Sequence, residues 1–157
     1  MRSLFTALVL TTAFIARAEP GADVTLATAE HLASAARVAC RALGREVAVA
    51  VVDASGQTLL MSRPASVGPH NLEAARRKAY TALSTRQPTL ALGRQARSQP
   101  DTAALQYLPE LLLLGGGVPW RDASGDVAGA VGVAGGGGPE SDDACARAAV
   151  DSLPRRP

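Results

Sequence analysis

The sequence predicts a single α+β domain in which helices pack on one mainly antiparallel sheet. The tetrapeptide Asp-Ala-Ser-Gly occurs at 53–56 and again at 122–125, each time between two apolar segments, and such turns join hairpin strands. Parallel strands would instead need long crossover connections. The 157 residues suit one domain, and no repeat or long linker divides the sequence.

The first 18 residues have the pattern of a secretory signal peptide. Met1-Arg2-Ser3 is a short basic start, residues 4–16 are uncharged and mostly apolar, and Ala16-Arg17-Ala18 has the small-x-small form of a cleavage site. A membrane anchor is disfavoured because a helix needs about 20 apolar residues to span a bilayer. We therefore expect cleavage after Ala18, a single mature domain at 19–157, a periplasmic or secreted location, and no membrane association after cleavage.

The mature chain is electrically neutral and poor in aromatic residues. Both excess basic residues, Arg2 and Arg17, precede the cleavage site, and the remainder has 14 basic and 14 acidic residues. The mature aromatic residues are Tyr80, Tyr107 and Trp120. Nucleic-acid binding usually needs a basic surface with aromatic platforms, so no nucleic-acid partner is expected.

Apolar periodicity predicts the first half of the domain. We expect a helix over 25–43, a central strand over 47–52, a returning strand over 57–63, a second helix from His70 or Asn71 to about Arg86, and a short third helix from Thr89 that ends at Pro100. Small side chains on the second helix, mostly alanines, would let it lie close to the sheet.

The second half is predicted to complete the sheet and add a last helix. We expect a buried strand over 111–114, a short edge strand over 118–120 because it contains a proline, a strand over 127–134, and a helix that begins at Pro139. The glycine runs at 115–117 and 135–138 could direct backbone N–H groups at an anion or could simply form turns.

Few residues suggest chemistry. The sequence has no GxSxG, P-loop, HExxH or GxGxxG motif, and whether the protein is an enzyme stays open. His31 lies off the apolar stripe of its helix and should face solvent. His70 sits in a stiff Gly-Pro-His-Asn junction, where it could ligate a metal or haem iron or simply lie in water. Lys78, the single lysine, flanks an apolar face and could reach a carboxylate at a pocket rim.

Five segments in the same order resemble the GlcG/HbpS family, also called the haem-degrading domain family. They cover nearly the whole mature chain and are Val47-Ala-Val-Ala-Val-Val-Asp-Ala-Ser-Gly56, Ala75-Arg-Arg-Lys-Ala-Tyr-Thr-Ala82 with Pro88-Thr89, Gly115-Gly-Gly-Val-Pro119, Gly129-Ala-Val-Gly-Val133 and Asp143-Ala-Cys-Ala146. The segment Gly68-Pro69-His70 resembles the exported, haem-binding branch.

The resemblance implies a profilin-like fold with a five-stranded, mainly antiparallel sheet flanked by helices, often assembled into homo-oligomers. It also implies haem binding, with some members that degrade haem and others that serve corrinoid enzymes or redox sensors. We expect an exported carrier, buffer or slow degrader of haem, with His70 as iron ligand and Lys78 or Arg63 near the propionates. The alternative is an oligomeric small-molecule-binding or accessory module that serves a partner enzyme or sensor without haem. The family's Gly-Val-Ser-Gly is Gly-Val-Ala-Gly at 132–135 here, which weakens an enzymatic role.

The two cysteines, Cys40 and Cys145, permit either a disulfide or two buried thiols. In a profilin-like fold the first and last helices pack side by side, and both cysteines fall on buried helical stripes. Together with the exported location, this predicts a disulfide between Cys40 and Cys145.

Overall fold

The computed structural model describes residues 24–154, and the predicted signal peptide at 1–18 with its cleavage site after Ala18 lies outside them. The described elements are α1 (Leu26–Ala42), β1 (Ala48–Asp53), β2 (Thr58–Ser62), α2 (His70–Thr85), α3 (Thr89–Ser98), α4 (Pro100–Ala103) with a 3-10 turn (Ala104–Tyr107), β3 (Gly117–Arg121), β4 (Val127–Ala134) and α5 (Pro139–Asp151). Within this part of the chain no helix is long and apolar enough to cross a membrane.

The sheet is antiparallel, with strand order β2-β1-β4-β3. Both Asp-Ala-Ser-Gly segments form the predicted hairpin turns, in which the carboxylates of Asp53 and Asp122 each accept hydrogen bonds from the backbone that follows. Pro119 lies on the edge strand β3, as its missing N–H requires.

The expectation of a fifth strand at 111–114 is wrong, and the sheet has four strands. The backbone of this segment bonds to side chains of the helices instead of to a strand. Arg77 donates to the carbonyl of Leu111 at 2.6 Å, the N–H of Leu112 donates to the hydroxyl of Thr81 at 2.8 Å, and Thr89 donates to the carbonyl of Leu114 at 2.8 Å. With the turn bonds from the N–H of Leu111 to the carbonyl of Leu108 and from the N–H of Leu114 to the carbonyl of Leu112, most of this backbone is paired without a ladder partner.

Helices α1 and α5 cover one face of the sheet and enclose the larger apolar core. Valines of the central strands pack there against alanines of both helices and against Trp120. A disulfide joins Cys40 of α1 to Cys145 of α5, with the two Cα atoms 5.5 Å apart. The predicted pairing is present in the structure.

Helix α2 lies on the opposite face, close to the backbone of β4. A Cβ added at Gly132 would stand only 1.9 Å from the carbonyl oxygen of Ala75. The buried residues on this face of α2 include Ala75, Ala79 and Ala82, whose methyl groups permit that approach. Glycine is therefore required at position 132. The close packing of α2 on β4 fixes the position of the helix and of the residues it carries.

Candidate functional site

His70 is the first residue of α2, and its imidazole is exposed. A Cβ at Gly68 would stand 3.0 Å from the ring carbon Cε1, so the ring lies directly over that glycine. Asn71 donates from its side chain to the carbonyl of Gly68 at 3.1 Å, which fixes the turn before the helix. Within residues 24–154 no hydrogen bond occupies either ring nitrogen of His70, and the imidazole is accessible as a ligand.

Arg63 lies on the same loop, which runs from the end of β2 to the start of α2. Its guanidinium donates to the carbonyl of Pro64 at 3.1 Å and to the carbonyl of Val67. Arg63 therefore stabilises the loop that carries His70.

Lys78 lies deeper than the sequence suggests. Its expected place at a pocket rim is corrected by its burial, since only 1% of its surface is exposed. The ammonium donates to Asp142 of α5 at 2.7 Å and to the carbonyl of Val133 at 3.0 Å. A helical wheel shows that Lys78 flanks the apolar face of α2. It cannot show that the ammonium will contact Asp142, which lies 64 residues later in the chain.

The buried pair of Lys78 and Asp142 joins α2 to α5 across the glycine-rich loops. The other carboxylate oxygen of Asp142 accepts from the N–H of Gly136 at 2.7 Å. Burial lowers the pKa of Lys78, and the negative charges of Asp142 and Asp143 oppose that shift. The pair has the properties of a structural link and leaves the ammonium no path to a surface ligand.

The glycine run at 115–117 serves close packing. A Cβ at Gly115 would stand 2.5 Å from the carbonyl oxygen of Pro139, and one at Gly116 would stand 2.4 Å from that of Val133. Backbone contacts of this kind explain these three glycines without a bound anion, whereas in the run at 135–138 the N–H of Gly136 donates to Asp142.

The predicted site residues are thus not assembled in one place. His70 and Arg63 share a loop at the start of α2, whereas Lys78 follows His70 by eight residues, which is about 12 Å along a helix. His31 is exposed, as predicted, and its Nε2 lies 3.0 Å from the hydroxyl of Ser152.

Two surface depressions lie at the other end of α2. One, of about 400 Å³, is lined by the first hairpin turn, Tyr80 and Arg86, and the other, of about 310 Å³, is lined by Arg86, Arg121 and Arg147. Sequence reasoning missed these arginines because they lie far apart in the chain. One signal in the sequence pointed to this region. Arg86 occupies the position after α2 where helices commonly end in a glycine.

The chemistry of His70 suits haem iron, but its surroundings enclose little. An accessible neutral imidazole is a common axial ligand. Cofactor pockets usually bury most of their ligand, whereas His70 is exposed and lines neither depression. The described residues of one chain therefore present an accessible imidazole at a surface that has no enclosing pocket around it.

Comparison with known proteins assigns the family. The family model described as haem degrading protein HbpS-like matches residues 24–151. The chain belongs to the HbpS-like family. Its fold is similar to the crystal structure of a double mutant of HbpS from Streptomyces reticuli, with a TM-score of 0.79 and 35% identity over 96% of this chain and 100% of that one.

Two further relatives extend the comparison. The crystal structure of the PduOC:haem complex has a TM-score of 0.72 and 26% identity, covering 83% of this chain and 95% of that one. An uncharacterized 15.0 kDa protein of Citrobacter freundii is 34% identical over 132 residues, which are 83% of this chain and 92% of that protein. The PduOC structure is thus a chain of similar fold in complex with haem.

Proposed function

We propose that this protein is an exported haem-binding protein and that His70 ligates the haem iron. The observation that carries the proposal is the accessible imidazole at the start of α2, in a chain of the HbpS-like family. Of the two histidines, His70 has no hydrogen bond in the described region, whereas His31 lies within hydrogen-bonding distance of Ser152.

The residues near His70 and at the end of β4 fit the carriage or buffering of haem better than its degradation. The residue in place of the family's serine, Ala134, is 1% exposed and packs with Val67 and Ala75. Its methyl group offers no hydrogen bond to a ligand or to oxygen. The carboxylate of Glu73, three residues after His70 on α2, accepts from Arg76 at 2.9 and 2.7 Å and is held in that ion pair.

Assembly into a homo-oligomer would complete such a site. Because one chain leaves the imidazole exposed, a second copy is the simplest source of an apolar wall for the porphyrin. Exposed apolar side chains are available for contact along and just after α1 and the 3-10 turn; they include Leu26, Val38, Leu43, Tyr107 and Leu108. Light scattering that shows only monomer at high micromolar concentration would contradict this part of the proposal.

The disulfide supports export. A bond between Cys40 and Cys145 is stable in an oxidising compartment and is uncommon in a reducing cytosol. Removal of residues 1–18 from the purified mature protein, measured by intact mass, tests the predicted cleavage after Ala18.

A hemin titration tests the iron ligand. The wild type should give a sharpened Soret band, and His70→Ala should lower the affinity at least about tenfold, equivalent to about 1.4 kcal/mol, and alter the spin state. His31→Ala is the matched control and should match the wild type. Loss of the band in His31→Ala, with His70→Ala unchanged, would show that His31 and not His70 is the ligand and would contradict the proposal.

The same titration separates the alternative function. If the wild-type spectrum is that of free hemin, the protein is better explained as an accessory module that serves a partner enzyme or sensor without haem. The arginine-lined depression at the other end of α2 would then be the observation that supports a small-molecule-binding role.

A further inference from the structure

Three arginines from separate elements surround one depression at the β3 edge of the sheet. Arg86 follows α2, Arg121 ends β3 and Arg147 lies on α5. The depression has a volume of about 310 Å³, near the lower end of the range for small-molecule sites. Its apolar lining consists of Pro88, Val118, Pro119 and Val150.

A buried carboxylate orients Arg147. Asp143 is 3% exposed, and its Oδ2 accepts from Nε of Arg147 at 2.6 Å. This bond uses the inner edge of the guanidinium and leaves the two Nη groups for another acceptor. An arginine held in this way loses little conformational freedom when it binds a ligand.

The backbone of Arg86 is held in an unusual conformation. Its φ is +58°, and it is the one non-glycine residue with positive φ within residues 24–154. Its N–H donates to the carbonyl of Leu83, and its own carbonyl accepts from Nη2 of Arg121 at 3.3 Å. Residues kept in this conformation at a cost in stability are often found at binding sites.

The charge of the depression indicates an anionic ligand. Two carboxylates, Asp143 and Asp151, accompany the three guanidinium groups, so one positive charge remains in excess. Guanidinium groups bind carboxylates through paired hydrogen bonds, and the valine and proline side chains favour an apolar body beside the charge.

We propose that this depression binds a small organic carboxylate with a short apolar chain. The carboxylate would lie between Arg147 and Arg86, with its alkyl chain against Pro119 and Val150. The site is distinct from His70, because the two ends of α2 are separated by the length of the helix.

Calorimetric titration with valerate tests this proposal, with valeramide and inorganic phosphate as comparison ligands. Valerate should bind, the neutral amide should not, and phosphate should bind at least about tenfold more weakly because it gains nothing from the apolar lining. Equal binding of phosphate and valerate would indicate a general anion site and overturn the proposal, as would absence of valerate binding at millimolar concentration.

Two variants locate the site. Arg147→Gln and Arg86→Gly should each weaken valerate binding about tenfold or more. Arg45→Gln, which removes the same charge from an exposed arginine elsewhere, is the control and should bind valerate as the wild type does. Because glycine adopts the backbone conformation of position 86 without steric cost, a loss of valerate binding in Arg86→Gly could not be attributed to misfolding. Equal losses in all three variants would show that only net charge matters and would contradict the proposal.

Discussion

The two ends of α2 differ in what they offer a ligand. The first turn presents a free imidazole at His70 on an exposed loop, with little surface to enclose a cofactor. The last turn leads into Arg86, which lines two depressions, and Arg121 and Arg147 line the smaller of the two with it. One end therefore has an accessible imidazole without a pocket, and the other has an arginine-lined depression without an imidazole.

The two proposed sites therefore lie at opposite ends of one helix. From His70 to Arg86 there are 16 residues, or about 24 Å of helix. The proposed iron site and the proposed carboxylate site should therefore act independently. This independence depends on a rigid middle of α2, where Lys78 is paired with Asp142 and Gly132 lets the helix contact β4.

The largest expected effect is loss of the buried ion pair. Asp142→Asn leaves the ammonium of Lys78 buried without its counter-charge, which should lower the free energy of unfolding by about 3–5 kcal/mol. Urea denaturation measures this. The double variant Lys78→Met with Asp142→Asn is the control, because it removes the unpaired charge and keeps an oxygen that can accept from Gly136, and it should recover most of the loss. Equal stability of Asp142→Asn and wild type would show that the pair does not hold α2 in place.

The same variant should acquire a pH dependence. The pKa of Lys78 is already lowered by burial, and removal of the opposing charge of Asp142 lowers it further. Because the unfolded chain then binds more protons, the stability of Asp142→Asn should rise with pH from neutrality toward the ordinary lysine value of 10.5. Denaturation midpoints at several alkaline pH values check the sign, and a fall relative to wild type would contradict it.

Loss of the disulfide should have the next largest effect. The bond between Cys40 and Cys145 closes a segment of 105 residues, and replacing both cysteines by alanine should cost about 2–4 kcal/mol. Since Cys145 lies two residues before Arg147, the replacement should weaken valerate binding more than hemin binding. Equal effects on both ligands would contradict the independence of the two ends.

The smallest expected effect has the opposite sign. Arg86→Gly should raise the free energy of unfolding by about 1 kcal/mol, because glycine adopts positive φ without steric cost. Thermal denaturation measures this change. A variant that is less stable than wild type would show that the Arg86 side chain is structural, and the case for a binding role would weaken.

Local patterns in the sequence predicted much of the fold. The repeated turn tetrapeptide located both hairpins, and Pro119 identified an edge strand. The Cys40–Cys145 pairing followed from the resemblance together with buried helical stripes. The leucine run at 111–114 misled because apolar content does not reveal whether a strand partner exists, and here the side chains of Arg77, Thr81 and Thr89 satisfy its backbone.

The candidate sites were harder to predict because they depend on distant contacts. His70 was found from a local junction, and its exposure agrees with that reasoning. The partner of Lys78 and the convergence of Arg86 with Arg147 depend on how α5 packs, which no spacing within one segment encodes.

The most direct test of the central claim is a hemin titration of His70→Ala and Arg86→Gly side by side. The account predicts that His70→Ala loses at least about tenfold in affinity while Arg86→Gly stays within about twofold of wild type. The reverse order, with Arg86→Gly weakened and His70→Ala unchanged, would place haem at the arginine end of α2 and contradict the account.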